Sequence, residues 1–406
     1  MNRRMTPSSR LGQPLDIGVF GARAIPSTYS GYETFLTTLL PELAGRGHKV
    51  TMYCRSTEIE GSGPYKGVNR IMLPAIAGKH FNTLSHGLLA SVRARSAGHD
   101  VLLVVNVANS IFCAMNKYTG QRVFLNTDGQ EWLRGKWGPV ARRFFHVSAK
   151  MARHGATGLV ADCAAMAKIY ENQFGSRSTV IPYCSPAISC RFDTAAPDRL
   201  KVRRGEYFII AGRLNPENNI DRMAEGYSRT DMEEPLLVLG SANYDSPVAA
   251  NLQRLASVDD RIRLVGHIGD RSEFLDLIGS ATAYLHGHSV GGMNPSLIEA
   301  MSAGALVVAL DTAFSRETMG QEGLFFPYAA RGDLSLSDVM EEVRTMPVAR
   351  RQALRFGAAE RVREFYSLHD VVTAYEALLT AGVTRPAKGP VSIATRWSHQ
   401  PAESGA

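Results

Sequence analysis

The sequence of 406 residues is notable first for what it lacks. No apolar run approaches the ~18 residues that a membrane-spanning helix needs. The first fourteen residues hold arginines but no apolar segment behind them, so we expect no secretory signal and a cytoplasmic protein. The five cysteines include no Cys-x-x-Cys pair, which argues against structural zinc and favours reduced, mostly buried thiols.

The composition indicates a globular protein with a basic surface. Hydrophobic residues make up 45% of the chain and charged residues 20%. A formal net charge of +7 suits nucleic acid, an anionic membrane or phosphorylated substrates. Without a zinc-finger or RNP-type aromatic motif, we predict no nucleic-acid partner. One basic stretch indicates either a solvated helix face or a surface for membrane or phosphate: Arg134, Lys136, Arg142, Arg143, Lys150 and Arg153.

Short apolar runs alternate with helical patterns along the chain. Residues 16–21, 49–53, 100–105, 121–126 and 157–161 predict one series of buried strands. Residues 207–211, 236–239, 261–265, 282–285 and 306–310 predict a second series. This alternation predicts an α/β protein of two facing Rossmann-like domains with parallel sheets and an interdomain cleft.

The length and a proline-rich pause set the predicted domain boundaries. The chain is too long for one ordinary core, and residues 182–204 are typical of a linker. We predict an amino-terminal, acceptor-side domain over 15–190 and a carboxy-terminal, nucleotide-sugar-binding domain over 205–365. A helix over 366–382 is expected to return to the first domain. We expect disorder over 1–14 and 384–406, where polar and small residues dominate.

The most informative stretch is 286–301, which predicts a strand, a glycine-containing loop and a helix that begins at Asn294 or Ser296. Pro295 suits a first helical turn, and free N–H groups at a helix start favour a phosphate. Gly291 and Gly292 let the backbone approach a ligand closely.

Glu299 lies about one turn into this predicted helix. A carboxylate there could accept hydrogen bonds from a ribose diol. Alternatively, Ser296 and Glu299 fit a capping box, in which the glutamate only satisfies the helix's own N–H groups.

The segments 211–221 and 291–304 resemble the donor-binding part of retaining glycosyltransferases of family 4, which have the GT-B fold. The family pattern has two glutamates separated by seven residues. Glu299 matches the second, which holds the donor ribose in that family, and the first falls on Gly291, so neighbouring backbone N–H groups would take its place. Arg213 matches an arginine that neutralises the donor diphosphate, whereas the family's lysine position is Asn218.

The segments 18–34 and 126–137 resemble the rhamnosyltransferase-like branch of that family, whose members transfer deoxyhexoses or related sugars in surface-polysaccharide assembly. The first loop, 21–31, is placed to cradle a diphosphate at Gly21 or to admit an acceptor past Arg23, Tyr29 and Gly31. The loop lacks the dinucleotide fingerprint, and Arg55 lies where an acidic NAD ligand is expected, so a dehydrogenase is disfavoured.

Further candidates for the acceptor side follow predicted strands or lie in helix-like segments. Asp128 or Glu131 could orient the acceptor hydroxyl or stabilise positive charge, although Asp128-Gly129 is also a turn signal. Trp132 could form a sugar platform or pack in a core. His80 and His86 are candidates for acceptor binding, with a structural role as the alternative.

These residues predict a metal-independent hexosyltransferase without a cofactor, and the family resemblance implies that it retains anomeric configuration. Its predicted partners are a nucleotide-sugar donor, such as one carrying rhamnose, and a saccharide or lipid-linked saccharide acceptor, with peripheral contact at the anionic inner face of the plasma membrane. A nucleotide-sugar epimerase of the same fold and a non-catalytic nucleotide-sugar-binding protein are the alternatives. The predicted catalytic residues are Asp128, Arg213 and Glu299. The predicted donor site comprises Gly21, Arg213, Asn218, Gly291, Gly292, Asn294, Pro295, Ser296 and Glu299, and the acceptor site Arg23, Tyr29, Gly31, His80, His86, Glu131 and Trp132.

Overall fold

The computed structural model describes residues 13–27, 31–59, 61, 63–76, 78, 81–135, 137–185, 193–241, 246–328 and 335–383. These residues divide into two compact units. The first takes its described residues from 13–128, 139–183 and 369–383, and the second from 129–138 and 184–368. Except for Gln13 and Pro14, the predicted disordered ends lie outside the described residues.

The first unit is built on a seven-stranded parallel sheet with the order β3-β2-β1-β4-β5-β6-β7. Its strands are β1 (Asp16–Phe20), β2 (Lys49–Arg55), β3 (Asn69–Leu73), β4 (Val101–Val105), β5 (Arg122–Asn126), β6 (Gly158–Ala161) and β7 (Thr179–Val180). Apart from the last helix of the chain, its helices are α1 (Gly31–Gly45), α2 (Phe81–Ala97), α3 (Ser110–Lys117), α4 (Pro139–Gly155) and α5 (Ala164–Phe174).

The second unit holds a six-stranded parallel sheet with the order β10-β9-β8-β11-β12-β13. Its strands are β8 (Phe208–Ala211), β9 (Leu236–Leu239), β10 (Ile262–Gly266), β11 (Ala283–His286), β12 (Val307–Leu310) and β13 (Leu324–Phe326). Its helices are α6 (Ala196–Arg199), α7 (Ile220–Ser228), α8 (Pro247–Ala256), α9 (Arg271–Ser280), α10 (Pro295–Ser302), α11 (Ala313–Met319), α12 (Ser337–Thr345) and α13 (Val348–Phe365). Two parallel-sheet Rossmann-like α/β domains are therefore confirmed.

Burial explains why the central strands could be predicted. Every residue of β4, β9, β11 and β12 is buried, as expected for parallel strands covered on both faces. Residues 193–204 are more than the predicted linker, because α6 contacts α9 and Thr194 donates a 2.7 Å hydrogen bond to Asp276.

The last helix, α14 (Leu368–Val383), packs on the first unit. Arg46 donates a 2.7 Å hydrogen bond to Glu376, and His48 lies 3.0 Å from the same carboxylate. Although burial raises the pKa of Glu376, the bonds from Arg46 and His48 outweigh it and lower that pKa. Asn126 donates to the Tyr375 hydroxyl at 3.0 Å, which ties the helix to the end of β5.

The strand order reverses at the centre of each sheet. In the first, β1 lies between β2 and β4; in the second, β8 lies between β9 and β11. Chains leaving the carboxyl ends of such neighbouring strands depart on opposite faces and open a crevice where ligands bind. The described helices include none that is both long enough and apolar enough to span a membrane.

Gly21 marks the crevice end of β1. It has a φ of +111°, and a Cβ there would overlap the Val105 carbonyl oxygen and lie 2.8 Å from Asn109 Nδ2. Packing against the end of β4 thus explains this glycine without a ligand.

We expect Gly21→Ala to destabilise the protein by about 1–3 kcal/mol more than Gly47→Ala, because only the former adds overpacking to backbone strain. Gly47 is the matched control, since its φ is +94° and no atom lies within 4 Å of its would-be Cβ. Chemical unfolding of both variants measures the difference, and equal destabilisation would contradict the packing explanation.

Candidate functional site

The strongest candidate site lies at the reversal point of the second sheet. β8 and β11 pair directly there, with Ile210 opposite Leu285. Arg213 follows β8, and the loop after β11 leads into α10. Two of the predicted functional segments, 211–221 and 286–301, therefore meet at one edge of the sheet.

Hydrogen bonds from Asn218 join these two loops. Its Nδ2 donates to the Arg213 carbonyl oxygen at 2.7 Å, and its Oδ1 lies 2.8 Å from Nδ1 of His288. Ser289 adds a backbone bond to the Glu217 carbonyl at 2.9 Å. The Asn218 side chain is thus engaged within the protein, at the position where the family pattern has a lysine.

The Asn218 bridge also fixes the protonation of His288. Burial, together with the charges of Arg134 and Arg213 and with His286, lowers the pKa of His288 well below its usual value, so the ring is neutral at pH 7. The Arg213 carbonyl can only accept, so the amide nitrogen of Asn218 faces it and the amide oxygen faces His288. Nδ1 then donates to the Asn218 oxygen, while the backbone hydrogen bond between the ring and Val290 acts to raise the pKa of His288 against the effect of burial.

The start of α10 presents backbone donors. The N–H groups of Gly292, Met293 and Asn294 bond to no acceptor among the described residues. The Asn294 side chain caps the helix by accepting from the Ser296 N–H at 3.0 Å. Of the backbone N–H groups predicted to bind phosphate at this helix start, the three consecutive groups of Gly292 to Asn294 have no partner among the described residues. The Ser296 N–H is already bonded to the Asn294 side chain.

Glu299 does not form the capping box that the sequence left open, because Asn294 is the cap. Instead, Glu299 accepts a 3.1 Å hydrogen bond from Arg271 at the start of α9. Its side chain stays partly exposed, so a ligand can reach it.

Gly291 could not be replaced by the family's first glutamate without rebuilding the loop. Its φ is +135°, and a Cβ would lie 2.9 Å from Nε2 of His288 and 3.8 Å from Nη2 of Arg134. Gly129 packs against it so closely that a Cβ on Gly129 would lie 2.8 Å from Gly291 Cα.

The segment 129–138 belongs to the second unit, although we predicted it within the first domain. Arg134 is buried and forms an ion pair with Glu131. Its Nη1 also lies 3.6 Å from Oε1 of Glu217. It is therefore not part of the predicted basic surface, because its charge is neutralised inside the unit. Glu131 also accepts from Trp137 at 2.9 Å, and Trp132 is buried, so both are engaged in packing rather than open to an acceptor.

In the first unit, the loop after β1 is held by a buried carboxylate. Glu33, in the first turn of α1 beside Gly31, accepts from the Arg23 N–H at 3.0 Å and from Ser27 Oγ at 2.7 Å. Burial raises the pKa of Glu33 despite these bonds. The guanidinium of Arg23 reaches Glu58 at 3.3 Å.

His86 and Arg55 are two further buried polar residues near that loop. The amide of Arg55 donates to the Arg23 carbonyl at 2.6 Å, and its guanidinium donates to Thr83 at 3.2 Å. Burial, assisted by Arg55, lowers the pKa of His86 to about 4. Nε2 of His86 bonds to none of the described residues.

Asp128 follows β5 with a φ of +54°, and its N–H donates to Asn126 Oδ1 at 2.9 Å, as in a turn. Its carboxylate also accepts from the Tyr183 hydroxyl at 3.3 Å. Burial, with Asp128 and Asp162 nearby, raises the pKa of Tyr183 well above its usual value. Asp128 therefore lies in a turn, and its carboxylate also accepts a hydrogen bond from Tyr183.

Tyr29 and His80 lie outside the described residues. Sequence reasoning missed His288, Glu217, Glu33 and the burial of Arg134. The available signals were the position of His288 inside the most informative stretch and the Glu217-Asn218 pair within a family-like segment. Among the described residues, no three His, Cys, Asp or Glu side chains come together as a metal site.

The pKa of His86 near 4 predicts an acid-sensitive fold. Between that value and the unfolded value of about 6.5, the unfolded chain binds a proton that the folded chain does not. His86 therefore makes stability fall as the pH drops from about 6.5 to about 4, and it contributes no pH dependence above that window. We expect His86→Gln to remove up to about 3 kcal/mol of this acid dependence.

Urea midpoints measured across this pH range test the expectation. The control His154→Gln changes a solvent-exposed histidine and should keep the wild-type pH dependence. Identical pH dependence in His86→Gln and wild type would contradict a neutral, buried His86.

Two protein families match the chain, one in its amino-terminal half and one in its carboxy-terminal half. Residues 205–337 match a family described as glycosyl transferases group 1. Residues 15–185 match a domain of unknown function, DUF1972. No curated protein matches the chain.

Solved structures resemble the chain over nearly its whole length. Sucrose-phosphate synthase from Thermosynechococcus elongatus has 17% identity and a TM-score of 0.73, with 89% of this chain and 97% of that one covered. HepE from Anabaena, in complex with UDP-glucose, has 11% identity and a TM-score of 0.70, covering 90% and 99%. A glycosyltransferase from Rickettsia africae has 13% identity and a TM-score of 0.69, covering 91% and 98%. The chain therefore has the GT-B fold, and with its group 1 domain this supports a glycosyltransferase.

Proposed function

We propose that the protein transfers a sugar from a nucleoside diphosphate sugar to a saccharide acceptor, with retention of anomeric configuration. The observation that carries the proposal is the row of unbonded N–H groups from Gly292 to Asn294, at the start of α10 and at the reversal point of the second sheet. Consecutive backbone donors at a helix start bind phosphate oxygens.

Arg213 supplies the positive charge beside these donors. Its guanidinium forms no hydrogen bond or ion pair with the rest of the described chain, yet it is close enough to lower the pKa of His288. An arginine fork can bind a diphosphate in two places at once. Glu299, accessible one turn into α10, would accept hydrogen bonds from the ribose diol.

These groups would favour the reaction as well as binding. When the bond between the anomeric carbon and the diphosphate breaks, the diphosphate leaves with the electron pair and gains negative charge. The acceptor hydroxyl oxygen bonds to the anomeric carbon, and its proton passes to an oxygen of the departing diphosphate. Fixed donors at the leaving group are therefore most stabilising in the transition state, which is what accelerates a reaction.

Neutral His288 lies beside Gly291, where the family has its sugar-binding glutamate, so this side of the site carries no carboxylate toward the sugar. HepE, a protein of the same fold, has been observed with UDP and with UDP-glucose, which supports a nucleotide sugar as donor.

The acceptor and the donor sugar are proposed from resemblance. A deoxyhexose such as rhamnose would be added to a lipid-linked saccharide in surface-polysaccharide assembly. Arg23 and Asp128 in the first unit are the candidates for the acceptor side, whereas the predicted His86 is 1% exposed. We propose no cofactor and no metal, a cytoplasmic location and peripheral contact with the inner membrane face.

We expect one family of nucleoside diphosphates, with their sugars, to raise the melting temperature of the wild type. A ligand at about 100 times its Kd adds about 2.7 kcal/mol of stability. Glu299→Ala should lose most of this shift because the ribose contact is gone. Glu341→Ala removes an exposed glutamate paired with Arg344 on α12 and should keep the full shift.

Melting temperatures of the wild type, Glu299→Ala and Glu341→Ala, measured with a panel of nucleoside diphosphates, test the proposed donor site. A wild type that no nucleotide stabilises, or a Glu299→Ala variant with an unchanged shift, would contradict the proposed donor site.

A further inference from the structure

Three adjacent helices of the first unit are free of negative side chains. α2, α3 and α4 contain 17, 8 and 17 residues, and none is aspartate or glutamate. They hold seven basic residues: Arg93, Arg95, Lys117, Arg142, Arg143, Lys150 and Arg153. α3 contacts both α2 and α4, so the three form one continuous positive face.

The same face exposes a row of large apolar side chains. On α3 and its carboxyl cap, Ile111, Met115 and Tyr118 follow one helical stripe, and Tyr118 is 79% exposed. α4 adds Val140, which is 85% exposed, together with Val147 and Met151. α2 adds Phe81, Leu88, Leu89 and Val92. Single exposed apolar residues are ordinary, but a group on adjacent helices indicates an interaction surface.

The helices are held together by buried polar bonds. Asn116 donates to Ser91 at 2.6 Å between α3 and α2, and Ser110 donates to the Ser148 carbonyl at 2.8 Å between α3 and α4. Lys117 donates to the Ala156 carbonyl at 2.8 Å, just beyond the end of α4. The face is therefore preformed and needs no rearrangement to bind.

We propose that the α2–α3–α4 face docks on an anionic lipid bilayer. Exposed Leu, Ile, Met and Val side chains can enter the boundary between headgroups and acyl chains, while flanking Lys and Arg meet the anionic headgroups. Because α2, α3 and α4 carry no carboxylates, the anionic headgroups have no negative side chain on these helices to repel. Nucleic acid would also attract the charge, but it offers nothing to the aliphatic side chains. This inference rests on the peripheral membrane contact of the proposed function and assigns it to one surface, and it does not depend on the transfer reaction.

Sedimentation of the full chain with lipid vesicles tests the inference without any nucleotide sugar. We expect the protein to pellet with vesicles that contain phosphatidylglycerol and much less with phosphatidylcholine alone. Arg143→Gln with Lys150→Gln should weaken partitioning about 30-fold, since each basic residue near the surface contributes about 1 kcal/mol. Ile111→Ser with Met115→Ser should weaken the binding that persists at high salt.

Matched controls alter the same residue types away from the face. Arg177→Gln with Arg203→Gln removes two exposed charges, and Val258→Ser with Phe356→Ser removes two exposed apolar residues. Both controls should bind vesicles like the wild type, and melting curves confirm that every variant is folded. Equal binding to neutral and anionic vesicles, equal losses in the controls, or binding to an oligonucleotide alone would overturn the proposal.

Discussion

The bridge made by the Asn218 side chain is the interaction on which the candidate donor site depends. One amide joins the loop after β8 to the loop after β11 by bonding both to the Arg213 carbonyl and to His288. It sets the path of the backbone that carries Arg213 and fixes which nitrogen of His288 bears the proton. A lysine at this position could not make both bonds, because an ammonium group has no acceptor.

This bridge changes how a diphosphate would be neutralised. Of the two cationic positions in the family pattern, this chain keeps only Arg213, and the unbonded N–H groups of Gly292 to Asn294 would supplement its charge. Gly291 belongs to the same arrangement, because its positive φ lets the loop turn beside His288. The two departures from the family pattern, at 218 and 291, are thus linked through His288 and leave a neutral imidazole where a carboxylate would have been.

Much of the fold could be predicted because buried parallel strands are continuous apolar runs, as β4 and β12 show. β3, β7 and β13 were missed, since they are short edge strands with weak patterns: β7 has only two residues. The helix start at Pro295 was predictable from proline and asparagine chemistry. The burial of Arg134 was not, because Glu217, one of its two acidic neighbours, is far away in sequence and only tertiary packing brings them together.

The central claim is that Arg213 and the neighbouring N–H groups bind the terminal phosphate of a nucleoside diphosphate. Calorimetric titration of the matching nucleoside mono- and diphosphate tests it most directly. We predict that the diphosphate binds wild type about 10- to 100-fold tighter, as charge-assisted hydrogen bonds allow. Arg213→Gln should lose most of that preference, whereas Glu299→Gln should weaken both ligands by a similar factor. An unchanged diphosphate preference in Arg213→Gln would contradict the account.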